Sequence, residues 1–354
     1  MGEYDTLLGL VEQYSPSGEE RGAVEWLVDR MHSLGFDKTF VDEAGNAVGV
    51  KGGGSKQVVL LGHIDTVPGE IKVKQIDNLL YGRGSVDAKG PLACFVDAVA
   101  RTDVVDGWRC VVIGAVDEER DSRGARFVAE EYRPEYAIIG EPNSWDRIAI
   151  GYKGSAWADV QVSREQTHSA SGEQTAAETA VGIWLAVQEF TQDHNHDKER
   201  VFEQILPTLR GMRTGEDDFE QWASMRLGVR LPLDVSPEDW YATLGQLLQD
   251  GRTRSGSHGT VERIGYPIQA WVCEKNSPLV RAFLSGIRQE GGRPRFVYKT
   301  GTADLNIVAP AWNCHAVVYG PGDSALDHRP DEHISLEEYT NGVKVLANTL
   351  QVLM

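Results

Sequence analysis

The chain has 354 residues, of which 41% are hydrophobic and 25% are charged, as is typical of a globular protein with a sizeable core. This length exceeds that of a usual single domain, so we expect two domains. The net charge of −18 argues against non-specific binding to nucleic acid or anionic membranes, and no apolar run is long enough to span a bilayer.

Four cysteines lie in apolar stretches and include no Cys-x-x-Cys pair: Cys94, Cys110, Cys273 and Cys314. This usage is typical of reduced core residues. The N-terminal segment has neither the basic region nor the apolar region of a signal peptide. We therefore expect a cytoplasmic protein.

The N-terminal segment predicts two helices and a hairpin. Helical periodicity covers residues 4–14 and 18–34. Between them, Ser17 is the expected N-cap of the second helix, with Glu20 at the third helical position. An Ala-Gly-Asn turn then predicts a hairpin over residues 40–51.

Strand and helix patterns alternate next, with buried strands at residues 58–61, 110–116 and 136–139 and helices at 91–101 and 122–131. This order predicts a mostly parallel α/β sheet. In such sheets the ligand site lies at the carboxyl ends of the strands.

From about residue 151 the pattern changes to α+β, with strands at 156–162, 224–231 and 260–265 and helices at 175–190 and 237–249. The α/β pattern resumes from about residue 271, with a helix at 277–289, a strand at 314–319 and a helix at 335–352. We therefore predict a catalytic domain formed by residues 1–152 and 267–354, interrupted by a smaller α+β domain at residues 153–266.

Candidate metal ligands stand where the predicted strands end. His63 follows the first buried strand. If that strand continues to Asp65, the two side chains share a face and the carboxylate can orient the imidazole. Asp87 lies in a glycine-rich turn before an apolar helix, and Glu141 follows the third strand.

Two adjacent glutamates follow the second strand. Because neighbouring side chains point in different directions, one of Glu118 and Glu119 can bind a metal while the other acts as a general base. The alternative is that they begin a helix, where acidic residues favour the dipole. His328 lies in a late Gly/Pro-rich loop. Imidazole and carboxylate ligands suit zinc, and Asp87 is the candidate for the carboxylate that a metal pair must share.

The ordered set GHIDTVP, GRGSVDAKGP, DEE, GEP and GPG…DHRPDE resembles the M20 family of dizinc metallopeptidases along nearly the whole chain. The resemblance implies two Zn²⁺ ions, with Co²⁺ as a substitute, held by His63, Asp87 and Glu141 and by Asp87, Glu119 and His328. Glu118 matches the general base that activates water at the metal pair, and Asp65 matches the carboxylate that orients His63. The family fold is a zinc-peptidase α/β domain, with helices on both faces of its sheet, interrupted by a lid domain that mediates homodimerisation.

Two residues of the lid match family positions. His168 matches a histidine that reaches the partner subunit's active site and stabilises the oxyanion, although Ala170 stands where a serine is usual. The alternative is a plain surface histidine. Arg230 matches the arginine that binds the substrate α-carboxylate, for which a guanidinium fork is suited. Arg226 lies on the same face of that strand and competes for the assignment.

YKTGTADLN at residues 298–306 and DSALDHRPDE resemble the branch that releases lysine or ornithine from an amino-group carrier protein in lysine and arginine biosynthesis. The implied substrate-pocket residues are Lys299, Thr302, Asp304 and Asn306. Ala303 replaces an expected serine. The carrier is expected to be small and acidic, so docking needs a basic surface, for which the candidates are Arg252, Arg254 and Arg263.

Other functions stay open at this stage. N-acetylornithine deacetylase, succinyl-diaminopimelate desuccinylase and dipeptidase share the same motifs and differ only in the substrate pocket, so the substrate can also be a small N-acyl amino acid. A metal-binding protein without turnover is the alternative from another class. It is disfavoured because no ligand position is lost.

Overall fold

A computed structural model of the chain describes residues 2–168 and 170–354, apart from the side chain of Arg254. The chain divides into two compact units. Unit 1 combines the N-terminal part up to Gly151 with Val272–Tyr298 and Ala303–Met354, and unit 2 comprises Tyr152–Trp271 and Lys299–Thr302. No helix in the described part is long and apolar enough to cross a membrane.

The helices of the described residues are α1 Asp5–Glu12, α2 Arg21–Ser33, α3 Lys89–Arg101, α4 Arg123–Glu131, α5 Ala176–Asn195, α6 Pro237–Ser255, α7 Pro278–Gln289, α8 Leu305–Trp312 and α9 Leu336–Leu353. Two short 3₁₀ helices cover Val201–Glu203 and Ser324–Leu326.

The strands are β1 Lys38–Val41, β2 Ala47–Lys51, β3 Lys56–His63, β4 Lys74–Ile76, β5 Leu79–Tyr81, β6 Trp108–Ala115, β7 Tyr136–Gly140, β8 Arg147–Tyr152, β9 Gly154–Glu165, β10 Leu206–Glu216, β11 Glu220–Leu231, β12 His258–Ile268, β13 Trp271–Val272, β14 Arg295–Lys299, β15 His315–Val318 and β16 His333–Ser335.

The large sheet is mixed, in the order β1-β2-β6-β3-β7-β15-β8-β13, with β14 paired to β8. Its centre is parallel: β3 runs parallel to β6 and β7, and β15 runs parallel to β7. Residues 57–63 of β3 are all buried, as expected for a central strand whose sequence is a continuous apolar run. The mostly parallel α/β fold expected from the sequence is confirmed. A separate three-stranded sheet has the order β16-β5-β4.

Unit 2 is a four-stranded antiparallel sheet, in the order β10-β11-β9-β12, packed against α5 and α6. Alternate side chains of β11, including Met225 and Leu227, pack into a core that belongs to this unit alone. Both helices begin with a capping box. Thr175 is the N-cap of α5 and Ser236 is the N-cap of α6.

Two local predictions at the start of the chain are corrected. Ser17 is not the N-cap of α2, which begins at Arg21. Its hydroxyl instead donates a 2.7 Å hydrogen bond to the carboxylate of Asp65, a stronger acceptor than a neutral group. In addition β3 ends at His63, so Asp65 does not lie on the same strand face.

Candidate metal centre

The carboxyl ends of β3, β6 and β7 form the edge on which the candidate ligands stand. His63 is the last residue of β3 and pairs in register with Ala115, the last residue of β6. Gly62 pairs with Gly140, which directly precedes Glu141. Because the three strands are parallel neighbours, the residues that follow them meet at one edge.

Two groups of side chains there can each hold a metal ion. One group is His63, Asp87 and Glu141, and the other is Asp87, Glu119 and His328; within each, the ligand atoms lie within 4.8 Å of one another. Asp87 belongs to both groups. Its Oδ1 is 3.2 Å from Nε2 of His63, and its Oδ2 is 3.0 Å from Nε2 of His328. A carboxylate whose two oxygens face two ligand groups has the geometry of a metal bridge.

The electrostatics of the site favour a cation. Burial, together with the charge of nearby carboxylates, raises the pKa of Glu118 and of Glu141 well above the usual range. Burial opposes a charged imidazole at His63, but hydrogen bonds to Asp65 and Asp87 outweigh it and raise the pKa of His63. Bonds to Asp87 and Glu119 raise the pKa of His328 to about 10. Carboxyl groups outnumber imidazoles here, and this mixed oxygen and nitrogen set fits a pair of divalent cations.

Asp65 ties the imidazole ligand to the glutamate loop. Nδ1 of His63 is 3.0 Å from the carbonyl oxygen of Asp65 and 3.5 Å from its carboxylate. A proton donated from Nδ1 leaves Nε2 of His63 available for a metal. The Asp65 carboxylate accepts the backbone N–H groups of Glu118 at 3.0 Å and Glu119 at 3.1 Å. Asp65 therefore fixes the ligand and the loop together.

Glu118 and Glu119 do not begin a helix, because α4 starts only at Arg123. They lie in a loop between Asp117 and Ser122, which have left-handed φ values of 69° and 50°. Such values cost a non-glycine residue on the order of 1–3 kcal/mol and persist where the surroundings enforce them. The surrounding structure therefore holds this loop in a conformation that differs from the start of a helix.

Glu332 supports the site, although it is not among the site residues predicted from the sequence. Its side chain is fully buried. One carboxylate oxygen accepts the N–H groups of Val86 at 2.9 Å and Asp87 at 3.1 Å, and the other accepts from Arg83 at 2.8 Å. The residue was visible in the DHRPDE motif, but its neighbours are exposed and nothing in the pattern marks it as buried.

Within unit 2, the two competing arginines have different partners. Arg226 donates two hydrogen bonds to Asp159, at 2.9 and 2.8 Å, so its guanidinium fork is occupied. Arg230 donates a 3.0 Å bond to the hydroxyl of Thr302. Because the Arg226 fork is already paired with a carboxylate, Arg230 is favoured over Arg226 as the arginine for a substrate carboxylate.

The remaining candidates of unit 2 are divided among a loop, the last turns of α6 and the strands β12 and β14. His168 is exposed, and its Nδ1 accepts the N–H of Ala170 at 3.1 Å; Ser169 lies outside the described residues. Lys299 is the last residue of β14. Among the docking candidates, Arg263 donates two bonds to Glu238, which compensates its charge. Arg252 donates to the carbonyl of Ser257, and the side chain of Arg254 is not described.

Asp304 and Asn306 are buried at the start of α8 in unit 1. The Asn306 side chain accepts the N–H of Ala303 at 3.1 Å. Asp304 is only 2% exposed, and burial raises its pKa to about 7. Both side chains are therefore enclosed within the described structure rather than exposed to solvent.

Comparison with known proteins assigns the family. The model of Peptidase family M20/M25/M40 matches residues 59–352. The [LysW]-lysine hydrolase of Deinococcus radiodurans is 39% identical over 354 residues, covering 96% of this chain and 94% of that protein. The [LysW]-lysine/[LysW]-ornithine hydrolase of Saccharolobus solfataricus is 29% identical over 353 residues, covering 99% and 95%.

Solved structures share the fold at low sequence identity. The aminopeptidase PepT of Bacillus cereus has a TM-score of 0.80 at 17% identity, covering 98% of this chain and 97% of its own. A dinuclear metal-binding M20 peptidase of Bacillus subtilis has a TM-score of 0.74 at 12% identity, covering 99% and 96%. Because the family model matches most of the sequence and its relatives align along nearly their whole length, the chain belongs to peptidase family M20/M25/M40.

Proposed function

We propose that this hydrolase releases lysine or ornithine from a small amino-group carrier protein by cleaving the amide bond that joins them. The observation that carries the proposal is the alignment, along nearly the entire chain, with relatives named for hydrolysis of [LysW]-lysine and [LysW]-ornithine. The two candidate ligand groups that share Asp87 also support the proposal, because they suit metal-assisted hydrolysis of an amide bond. The product places the enzyme in lysine or arginine biosynthesis.

The metal ions that we propose for this site are two Zn²⁺ ions, with Co²⁺ as a substitute. One would be held by His63, Asp87 and Glu141 and the other by Asp87, Glu119 and His328. When bound, such a pair would supply polarisation of the scissile carbonyl and a water that is a stronger nucleophile at neutral pH. His63 and His328 must lose their protons to serve as ligands, because only neutral imidazole binds a metal.

Glu118 is the proposed general base. It removes a proton from the attacking water and gives it to the nitrogen of the leaving amine. Burial raises the pKa of Glu118. A general base whose pKa lies closer to the operating pH can both accept the proton from water and donate it to the amine. Asp65 acts on the reaction through the groups it holds, the His63 imidazole and the amide of Glu118.

Unit 2 supplies the proposed contacts to the substrate. Arg230 binds the α-carboxylate of the amino acid to be released, because a planar fork of donors matches a carboxylate. Lys299 and Thr302 belong to the same pocket. His168 acts on the oxyanion in the active site of a second copy, in a homodimer formed through this unit. We place the enzyme in the cytoplasm, where the thiols of Cys94, Cys110, Cys273 and Cys314 stay free.

Amine release from two zinc-loaded reactions tests the substrate assignment. One contains the carrier with a C-terminal γ-glutamyl-lysine, and the other contains N-acetylornithine. We expect a much higher kcat/KM for the carrier. Preference for N-acetylornithine would keep the metal chemistry and make the chain a deacetylase. No release from either would contradict the proposed function.

A further inference from the structure

Ser17 is a polar residue beside the metal centre that no step of the proposed reaction uses. Its hydroxyl donates a 2.7 Å hydrogen bond to Oδ2 of Asp65, whose side chain is fully buried. The same carboxylate accepts the amides of Glu118 and Glu119, and its Oδ1 lies 3.5 Å from Nδ1 of His63. Those partners belong to the site itself, so the bond from Ser17 ties Asp65 to a segment outside it.

The segment that carries Ser17 is docked on the residues that follow β3. The hydroxyl of Ser15 donates to the carbonyl of Ile64 at 2.7 Å. The N–H of Thr66 donates to the carbonyl of Ser15 at 3.0 Å, and the N–H of Ser17 donates to the carbonyl of Thr66 at 3.2 Å. The two segments therefore pair like short parallel strands. Because β3 ends before these residues, the segment takes the place of a neighbouring strand for them.

This segment also has anchors of its own. The turn over residues 16–19 closes with a 2.8 Å backbone hydrogen bond, and Gly18 within it has a left-handed φ of 95°, which glycine adopts without strain. The ammonium group of Lys89, a fully buried side chain, donates to the carbonyl of Gln13. Because Lys89 is the first residue of α3, this bond fastens the start of the segment to that helix.

A buried carboxylate that orients other groups needs a fixed orientation of its own. A hydroxyl that donates to an ionised carboxylate makes a short and strong bond. Loss of that donor leaves a buried oxygen of Asp65 with fewer partners and frees the carboxylate to rotate. Ser17 lies before residue 59, where the family match begins, so this contact belongs to a part of the chain that the family match does not include.

We propose that Ser17 is a positioning residue, which fixes the Asp65 carboxylate so that His63 and the loop of Glu118 and Glu119 keep the geometry of the metal centre. Ser17 belongs to neither described ligand group, so it acts through Asp65. The inference deepens the proposed function and rests on it for the roles of Asp65 and Glu118. Its consequence for metal binding does not depend on the identity of the substrate.

The substitutions Ser17→Ala and Ser17→Thr test the hydroxyl. Alanine removes the donor, and we expect kcat on the carrier-linked substrate to fall by about tenfold with KM unchanged, as loss of a partner behind a metal ligand does. Threonine keeps the donor and should keep most of kcat. Ser277→Ala is the matched control, because Ser277 is a serine of unit 1 whose hydroxyl accepts the N–H of Val280 at 3.1 Å and caps α7. That variant should unfold at a lower temperature with unchanged kcat.

Binding of Co²⁺ to metal-free protein, measured without substrate, gives a readout that a loss of stability alone does not move. The visible absorption of bound Co²⁺ depends on the geometry of its ligands. We expect Ser17→Ala to change this spectrum and to weaken metal binding at the group that contains His63 by about tenfold. Ser17→Thr and Ser277→Ala should give the wild-type spectrum. In an Asp65→Ala background, Ser17→Ala should weaken binding by less than about twofold more, because the two residues share one bond.

Three results would overturn the inference. The first is a wild-type spectrum and wild-type kcat in Ser17→Ala. The second is an equal loss in Ser17→Ala and Ser17→Thr, because the hydroxyl would then not be the group that matters. The third is a full tenfold loss from Ser17→Ala in the Asp65→Ala background, because Ser17 would then act by another route. If the wild-type protein cleaves neither substrate, the proposed function fails, whereas the Co²⁺ spectra of the Ser17 variants still decide the positioning role.

Discussion

Glu118 and Glu119 are adjacent carboxylates for which we propose different roles. Glu119 lies 3.2 Å from His328 and shares a ligand group with Asp87. Glu118 belongs to neither ligand group, and burial raises its pKa. A carboxylate bound to a metal cannot also carry a proton, whereas a free one with a raised pKa can accept and return it. The proposed separation of ligand and base thus rests on the different surroundings of the two side chains.

Glu118→Gln tests this separation at the level of one atom. Glutamine has nearly the same shape but cannot accept the proton, so we expect kcat to fall by about 10²–10⁴-fold. Zinc content, measured by atomic emission, should stay at the wild-type level because Glu118 belongs to neither ligand group. Wild-type turnover in this variant would remove Glu118 as the base.

Arg230 and Arg226 offer a matched pair on one strand. The Arg226 fork is bound to Asp159, and Arg230 is the residue proposed to bind the α-carboxylate, so Arg230→Lys should raise KM by roughly 10-fold through loss of the bidentate fork. Arg226→Lys should leave KM unchanged. Steady-state kinetics on both variants give the comparison, and a larger effect at Arg226 would reverse the assignment.

The sequence predicts site residues well where the signal is local. His63, Glu119 and Glu141 follow apolar strands, so the order of elements predicts that they meet at one edge of the sheet. Asp87 lies in a glycine-rich turn, and its place beside them is implied by the resemblance to the M20 family. The contacts that support these ligands could not be predicted from local sequence patterns. Glu332 reaches Asp87 across 245 positions of the chain, and no local pattern encodes such a contact.

At the scale of elements, the turn before α3 is held by a residue from the far end of unit 1. Glu332 accepts two amides of this turn and also pairs with Arg83. Truncation would leave these donors and the buried guanidinium without their partner, which costs several kcal/mol for a buried pair. The conformation of Asp87 thus depends on the segment just before β16.

Glu332→Ala should lower both the unfolding temperature and the zinc affinity, the latter by about 10–100-fold. Glu332→Gln keeps one carbonyl acceptor for the turn, so it should lose less of both. Thermal unfolding and zinc titration of the two variants provide the test. Wild-type zinc affinity in Glu332→Ala would show that the turn holds Asp87 without Glu332.

Element prediction succeeds where burial imposes a period and fails where it does not. The buried strand β6 and the amphipathic helix α7 were found at nearly their observed positions. By contrast β10 was missed, because most of its residues are exposed or half-buried and show no alternation. The short helix α8 was also missed, since Pro310 lies inside it.

At the scale of the whole molecule, each unit has its own core. The core of unit 2 draws only on residues between Ala156 and Leu248, while both ligand groups belong to unit 1. A metal that binds only the native state stabilises the unit that holds it. Metal removal should therefore act on one unit of the two.

Calorimetry with and without chelator tests this independence. We expect two unfolding transitions, of which only that of unit 1 moves down when metal is removed. At metal concentrations about 100 times Kd the stabilisation is roughly 2.7 kcal/mol for each metal bound, which corresponds to about 5–10 °C per metal for a unit of this size. Equal shifts in the unfolding temperatures of both transitions, or a single common transition, would contradict independent unfolding of the two units.

The most direct measurement is lysine release from the carrier-linked substrate as metal-free enzyme is titrated with zinc. With two ligand groups that share Asp87, we expect negligible release without metal and a rate that rises until two equivalents of zinc are bound. Release at the full rate by metal-free protein, or no release at any zinc concentration, would contradict a dinuclear metal-dependent hydrolase of carrier-bound lysine.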